Sequence, residues 1–118
     1  MLAAARQAFA AQTSRIRAAL MGGTALESDE TGLRVGKQNW WLWVFHHKDN
    51  AVFVAEASRG KCVPQAFLGE WRPDYWISDR YSAQLGWAAK DNQICLAHLI
   101  RGVRSHIRSH LRDICADI

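Results

Sequence analysis

The chain has 118 residues, close to half of them hydrophobic (49%) and 22% charged, so one folded domain is expected and disorder as the main state is excluded. The longest apolar run, Trp40–Phe45, is far short of the ~20 residues that a membrane-crossing helix needs. Lys+Arg exceed Asp+Glu by 15 to 11, a net charge of +4 that suits contact with nucleic acid without requiring it. Three cysteines (Cys62, Cys95, Cys115), with no secretory signal before them, argue against a disulfide framework and for a reducing cytoplasm.

Residues 1–24 read as an N-terminal helix or linker, with Leu2, Ala5, Phe9, Ile16 and Leu20 near helical spacing and Gly22-Gly23-Thr24 as its end. Because the segment carries Arg6, Arg15 and Arg17 and no acid before Glu27, it also has the composition of a mitochondrial transit peptide. A helix packed on the domain is the commoner outcome of such a pattern. Residues 25–118 form the expected body of the domain. Ala25–Val35 is extended, with Gly32 as its weak point, and Gly36-Lys37-Gln38-Asn39 is a turn. Trp40–Phe45 is a dense strand whose unbroken apolarity suggests burial on both faces. A turn over His46–Asn50, with both histidines in solvent, leads to a third strand, Ala51–Ala55.

The period then changes. Ser58 is placed to cap a helix from about Lys61 to Leu68, with Pro64 tolerated in its first turn and Gly69 closing it. Tyr75–Ser78 reads as a short strand and Ser82–Lys90 as a helix. Ile94-Cys95-Leu96 is either a short strand or the lead into a long final helix. In that helix Leu96, Leu99, Ile100, Val103, Ile107, Leu111 and Ile114 recur at three and four. An antiparallel meander feeding into helix–strand–helix predicts an α/β domain with the element order of ribonuclease-H-like folds.

Asp29 stands in the first strand and Asp79 at the end of the fourth, which are neighbours in that topology. Two carboxylates converging from adjacent strands repel unless a hard divalent cation neutralises them. Two metal ions ~3.5–4 Å apart serve phosphodiester chemistry by activating a nucleophile and stabilising the leaving oxygen. The alternative is structural, with Asp29 a turn residue before Gly32 and Asp79 a helix N-cap. Cys95-x-x-His98, with His106, His110 and Cys115 behind it, invites a zinc reading, but the usual spacing and a CxxC pair are missing. Arg101, Arg104, Arg108 and Arg112 fall on one helical stripe, fit either to follow phosphates or to be a solvated face. The tryptophans of the second strand read as core, while Trp71, Trp76 and Trp87 stay open between packing and base stacking.

Ser28-Asp29-Glu30-Thr31-Gly32 resembles the DETG box of the DDE transposases of the insertion-sequence-66 family. Trp40-x-Leu42-Trp43-Val44, Ser58-Arg59-Gly60-Lys61, Phe67-Leu68-Gly69, Ser78-Asp79-Arg80-Tyr81 and Cys95-Leu96-Ala97-His98-Leu99-Ile100-Arg101 resemble its further boxes, in order. The resemblance runs from Ser28 to Arg101. It implies a central catalytic domain that cuts and rejoins DNA ends, such as terminal inverted repeats, with Mg²⁺ held by three carboxylates. Asp29 and Asp79 match the first two, as catalytic and metal residues, and Arg80, Arg101, Arg104 and Arg108 are the candidates for DNA contact. The third, a glutamate on a late helix, has no counterpart, since only Asp113 and Asp117 follow Arg101 and residues 102–118 depart from the boxes. The expectation is therefore a truncated bacterial transposase core, inactive by itself, or a fragment that regulates by binding DNA or full-length transposase. A zinc-dependent interaction domain is the third option.

Overall fold

A computed structural model of the chain describes residues 1–79 and 89–116, with the side chains of Leu111 and of residues 113–116 outside the description. Its helices are α1 (Leu2–Met21), α2 (Cys62–Leu68) and α3 (Leu96–Ala116). Its strands are β1 (Ala25–Val35), β2 (Gln38–His47), β3 (Asn50–Glu56), β4 (Tyr75–Ser78) and β5 (Asp91–Ile94). They form one sheet in the order β3-β2-β1-β4-β5. The first three strands are an antiparallel meander, and β4 and β5 add to β1 in parallel. That mixed five-stranded order is the ribonuclease-H-like arrangement.

The alternation of a strand decides what each side of this sheet does. Leu26 and Ser28 of β1 share a face with Trp43 and Phe45 of β2, Val52 of β3, and Trp76 and Ser78 of β4, and all of these are buried. Leu20 from α1 and Val63, Phe67 and Leu68 from α2 close over that face. Phe67 stacks on Phe45 at 3.9 Å between ring centroids, and Phe45 on Trp43 at 6.1 Å. The indoles of the two fully buried tryptophans, Trp43 and Trp76, each find an acceptor, which offsets the cost of desolvating the N–H. Trp43 Nε1 donates to the Ser58 carbonyl at 3.1 Å, and Trp76 Nε1 to Ser28 Oγ at 2.7 Å. Trp76 is thus a core residue, Trp71 packs half-buried against the core, and Trp87 lies outside the described residues.

Several expectations are corrected. The second strand is not buried on both faces. Trp43 and Phe45 are enclosed, whereas Leu42 and Val44 on the opposite face are half-buried, because both core helices lie on one side. Ser58 does not cap α2. Its hydroxyl accepts the Gly60 amide at 2.9 Å, a turn upstream of the helix, and the N-cap position is taken by Lys61, whose side chain makes no capping hydrogen bond. Gly69, at φ +56°, ends α2 in a conformation that favours glycine. His46 and His47 are half-buried within β2, and His47 Nδ1 lies 3.6 Å from Glu27.

A fifth strand is present that the periodicity does not signal. Asp91-Asn92-Gln93 are exposed at the sheet edge, where no apolar alternation is needed. The Asp91 amide donates to Asp74 O at 3.0 Å, and Lys90 pairs with the Asp74 carboxylate at 2.7 Å, which fixes where β5 begins. The helix expected over Ser82–Lys90 falls largely outside the described residues. Its last two, Ala89 and Lys90, are in a bend.

Alanine-rich α1 needs little tertiary help to be helical. Only its last turns pack, through half-buried Ile16 and buried Leu20, while Arg17 lies over the Phe67 ring at 5.2 Å and donates to the Phe67 carbonyl. Helix α3 leaves the sheet at its other end. The radius of gyration, 18.0 Å, exceeds the ~13–14 Å of a compact chain of this length, as a helix standing off the sheet requires.

Candidate metal centre and arginine row

Asp29 lies inside β1, opposite Val44 of β2, and is not a turn residue. Glu27 of β1 pairs with Ile77 of β4, so two residues further on, on the same face, Asp29 stands level with Asp79, just past the end of β4. The two carboxylates meet on the sheet face opposite the core. Asp29 Oδ1 accepts the amide of Glu30 at 2.9 Å, which orients the group and leaves Oδ2 pointing outward.

The chain then brings a third group. After β5 the Cys95 amide donates to Ser78 O at 2.6 Å, tying the start of α3 to the strand end that carries Asp79. One turn later His98 Nε2 faces Asp29 Oδ2 at 3.7 Å. One ligand atom from each of Asp29, Asp79 and His98 lies within 4.8 Å of the others, and all three residues are half-buried. Among the described residues this is the one such cluster of potential metal ligands. Two carboxylates and an imidazole are a donor set that fits a divalent cation. Among the described residues the zinc grouping is not formed, and Cys115 lies outside the described side chains. His98 joins the two carboxylates, and although it contacts Cys95, no group of three potential ligands forms among the described residues with Cys95, His106 or His110.

The electrostatics point the same way. Glu30, on the core side of β1, has no exposed side-chain surface and accepts Arg59 Nε and Nη2 at 2.9 and 2.8 Å. Burial pushes its carboxyl above the ordinary range; the Arg59 hydrogen bonds pull it back, and the negative charges of Asp79 and Asp29 push it up again. Arg59 is held in turn over the Trp41 ring at 4.6 Å. The Cys95 thiol is held below its usual range by its hydrogen bond with His98.

Arg101, Arg104, Arg108 and Arg112 line one shallow groove together with Ser105, on a side of α3 distinct from the apolar stripe. Arg80 lies outside the described residues. Asp79, His98, Gly102, Val103, His106 and Ile107 line a second groove, which runs from the carboxylates along α3. Two features escaped the sequence reading. His98 was visible as part of a box and as a zinc candidate but not as a partner of the aspartates, and the Glu30–Arg59 pair joins residues 29 positions apart.

The fold and the converging aspartates define a ribonuclease-H-like α/β domain with a candidate divalent-metal centre. The sequence matches the family model described as "Transposase IS66 family" over residues 1–118, and the chain belongs to that family. The match takes in residues 1–27 and 102–118, which the quoted boxes do not reach, so the tail after Arg101 lies within the family's span. No curated protein matches the chain significantly. Similar solved structures include the HTLV-2 integrase catalytic core domain in complex with magnesium. Its trimeric form is 14% identical with a TM-score of 0.45, covering 80% of this chain and 73% of that one. Its dimeric form is 15% identical with a TM-score of 0.46, covering 77% and 74%. A third is the simian T-cell lymphotropic virus intasome in complex with PP2A regulatory subunit B56 gamma, at 12% identity and TM-score 0.47, covering 80% and 42%. No helix among the described residues is long and apolar enough to cross a membrane.

Proposed function

We propose that this chain is part of the catalytic core of a bacterial, cytoplasmic transposase, in which Asp29 and Asp79 hold Mg²⁺ and the arginine row of α3 follows the DNA backbone. The observation that carries the reading is the convergence of Asp29 and Asp79 from parallel neighbouring strands on the uncovered face of the sheet. Each carboxylate comes from a different element, so their spacing is set by sheet register and not by side-chain freedom, which is what positioning a reacting phosphate demands. A divalent cation at such a site neutralises charge on the attacking and leaving oxygens of phosphodiester exchange. Arg101, Arg104 and Arg108, with Arg80, supply sequence-independent phosphate contacts. Terminal inverted-repeat DNA is the substrate class.

The 118 residues carry two of the three carboxylates implied by the resemblance, and by themselves they bind DNA without cutting it. A second reading, a fragment that binds full-length transposase, is favoured by one observation: the apolar stripe of α3 is exposed at Leu96, Ile100, Val103 and Ile107. Binding of inverted-repeat DNA at several salt concentrations tests the proposal. The expected result is salt-dependent binding whose log–log salt slope falls by about one for each of Arg101, Arg104 and Arg108 changed to Ala, with no nicking in Mg²⁺. Absence of binding at low ionic strength overturns the DNA role, and Asp79-dependent nicking overturns the inactivity.

A further inference from the structure

The geometry points to His98 as a third metal ligand, making the site an Asp29–Asp79–His98 centre that takes Mn²⁺ in preference to Mg²⁺; this rests on the metal reading of the two aspartates. Three observations carry it. First, the Nε2 to Asp29 Oδ2 separation of 3.7 Å is too long for a hydrogen bond, so the two groups face each other across a gap without closing it. Second, that gap has the size of a coordination sphere. Ligands ~2.1–2.2 Å from one ion stand about 3 Å apart when adjacent and about 4.3 Å apart when opposite. Ligand atoms all within 4.8 Å of one another therefore close on a cation with shifts of a fraction of an ångström. Third, the imidazole is delivered and not merely nearby. The Cys95 amide bond to Ser78 O anchors α3 beside Asp79, and the Leu99 amide donates to Cys95 O at 3.0 Å, so His98 sits in the anchored first turn.

The charge balance agrees. Two carboxylates and a neutral imidazole sum to −2, which a divalent ion cancels. One nitrogen among oxygen donors moves preference away from Mg²⁺, which takes oxygen ligands and keeps its water, toward first-row transition ions that accept imidazole. Mn²⁺ takes both donor types. Because His98 arises from the start of α3, metal binding also fastens that helix to the sheet.

The test uses the 118-residue chain with Mn²⁺ as the probe, followed by electron paramagnetic resonance. Free Mn²⁺ is read from the aqueous signal, and coordination from pulsed measurement of ¹⁴N coupling. The expected result is a ¹⁴N coupling of a directly bound imidazole, lost in His98→Ala, with Mn²⁺ affinity falling about tenfold or more. His98→Glu keeps a ligand but changes nitrogen for oxygen. It is expected to lose the coupling, retain Mn²⁺ and bind Mg²⁺ more tightly than the parent chain. His98 is 29% exposed, so both variants are expected to fold, and circular dichroism checks that they do. Mn²⁺ bound in an Asp29-dependent manner with no ¹⁴N coupling, and unchanged in His98→Ala, overturns the inference while leaving the aspartate pair standing. No Mn²⁺ binding to the parent chain overturns both.

Discussion

The two long helices, α1 with 20 residues and α3 with 21, make opposite use of their sequences. Helix α1 has a weak apolar stripe and exposes most of its length, yet its last turn plugs the core: Leu20 is 2% exposed among Trp43, Phe45 and Phe67. Helix α3 has a full stripe, and that stripe lies open, with Val103 at 50% and Ile107 at 51% exposure. The faces of the sheet repeat the contrast. The face under α1 and α2 is sealed by aromatic packing, while the other carries Asp29 and Asp79 and is met by α3 at its first turn. An apolar stripe thus states that a helix has a face to cover but not what covers it, and burial follows where the chain's turns deliver a residue.

The contrast can be broken at its strongest point. Leu20→Ala leaves a cavity against the ring stack and is expected to cost about 3 kcal/mol by chemical denaturation. A loss below about 1 kcal/mol would mean that α1 is not part of the cooperative core.

The Glu30–Arg59 pair, on the sealed side behind the carboxylates, sharpens it next. Arg59→Ala leaves a buried carboxylate without its cation and is expected to cost about 2 kcal/mol at pH 8, the pair being exposed on the arginine side. Glu30 supplies the pH signature. A carboxyl whose pKa is raised on folding holds a proton that the unfolded chain has released, so its contribution is most favourable below its ordinary value of 4.5 and is lost as pH rises through the folded value. Stability against pH, measured with and without Arg59, should therefore diverge on the alkaline side of 4.5, and converge in acid where Glu30 is protonated in both. Parallel curves would show that the pair does not govern the titration.

The smallest effect is expected at the open stripe. Val103→Ala and Ile107→Ala should each shift stability by no more than about 0.5 kcal/mol in thermal melts, since both side chains are already half in water. A loss comparable to Leu20→Ala would mean that the stripe is covered in solution.

Much of this was legible in the residues. The meander, β4 and the final helix follow from patterning, while Asp29 and Asp79 stood out as site candidates through the resemblance of their boxes, their places in strand and strand end alone leaving a structural role open. Strand β5 was not legible, because an edge strand of Asp91, Asn92 and Gln93 has no apolar face to betray it. Ser58 misled because a hydroxyl near a helix start can serve a turn as readily as a cap. His98 could be read as a zinc ligand or as one member of a box, since spacing along a chain does not say which distant carboxylate an imidazole will face.

The sequence by itself determined the meander, β4, the long helices and the aromatic second strand, and it named Asp29 and Asp79 as candidates, because these rest on local periodicity, on residue chemistry and on short ordered motifs. Tertiary structure alone decided that Asp29 and Asp79 stand level, that His98 joins them, that Arg59 holds Glu30, and that the stripe of α3 stays open. Those outcomes depend on strand register and on the direction in which a helix leaves the sheet, and both are settled by contacts between residues far apart in the chain.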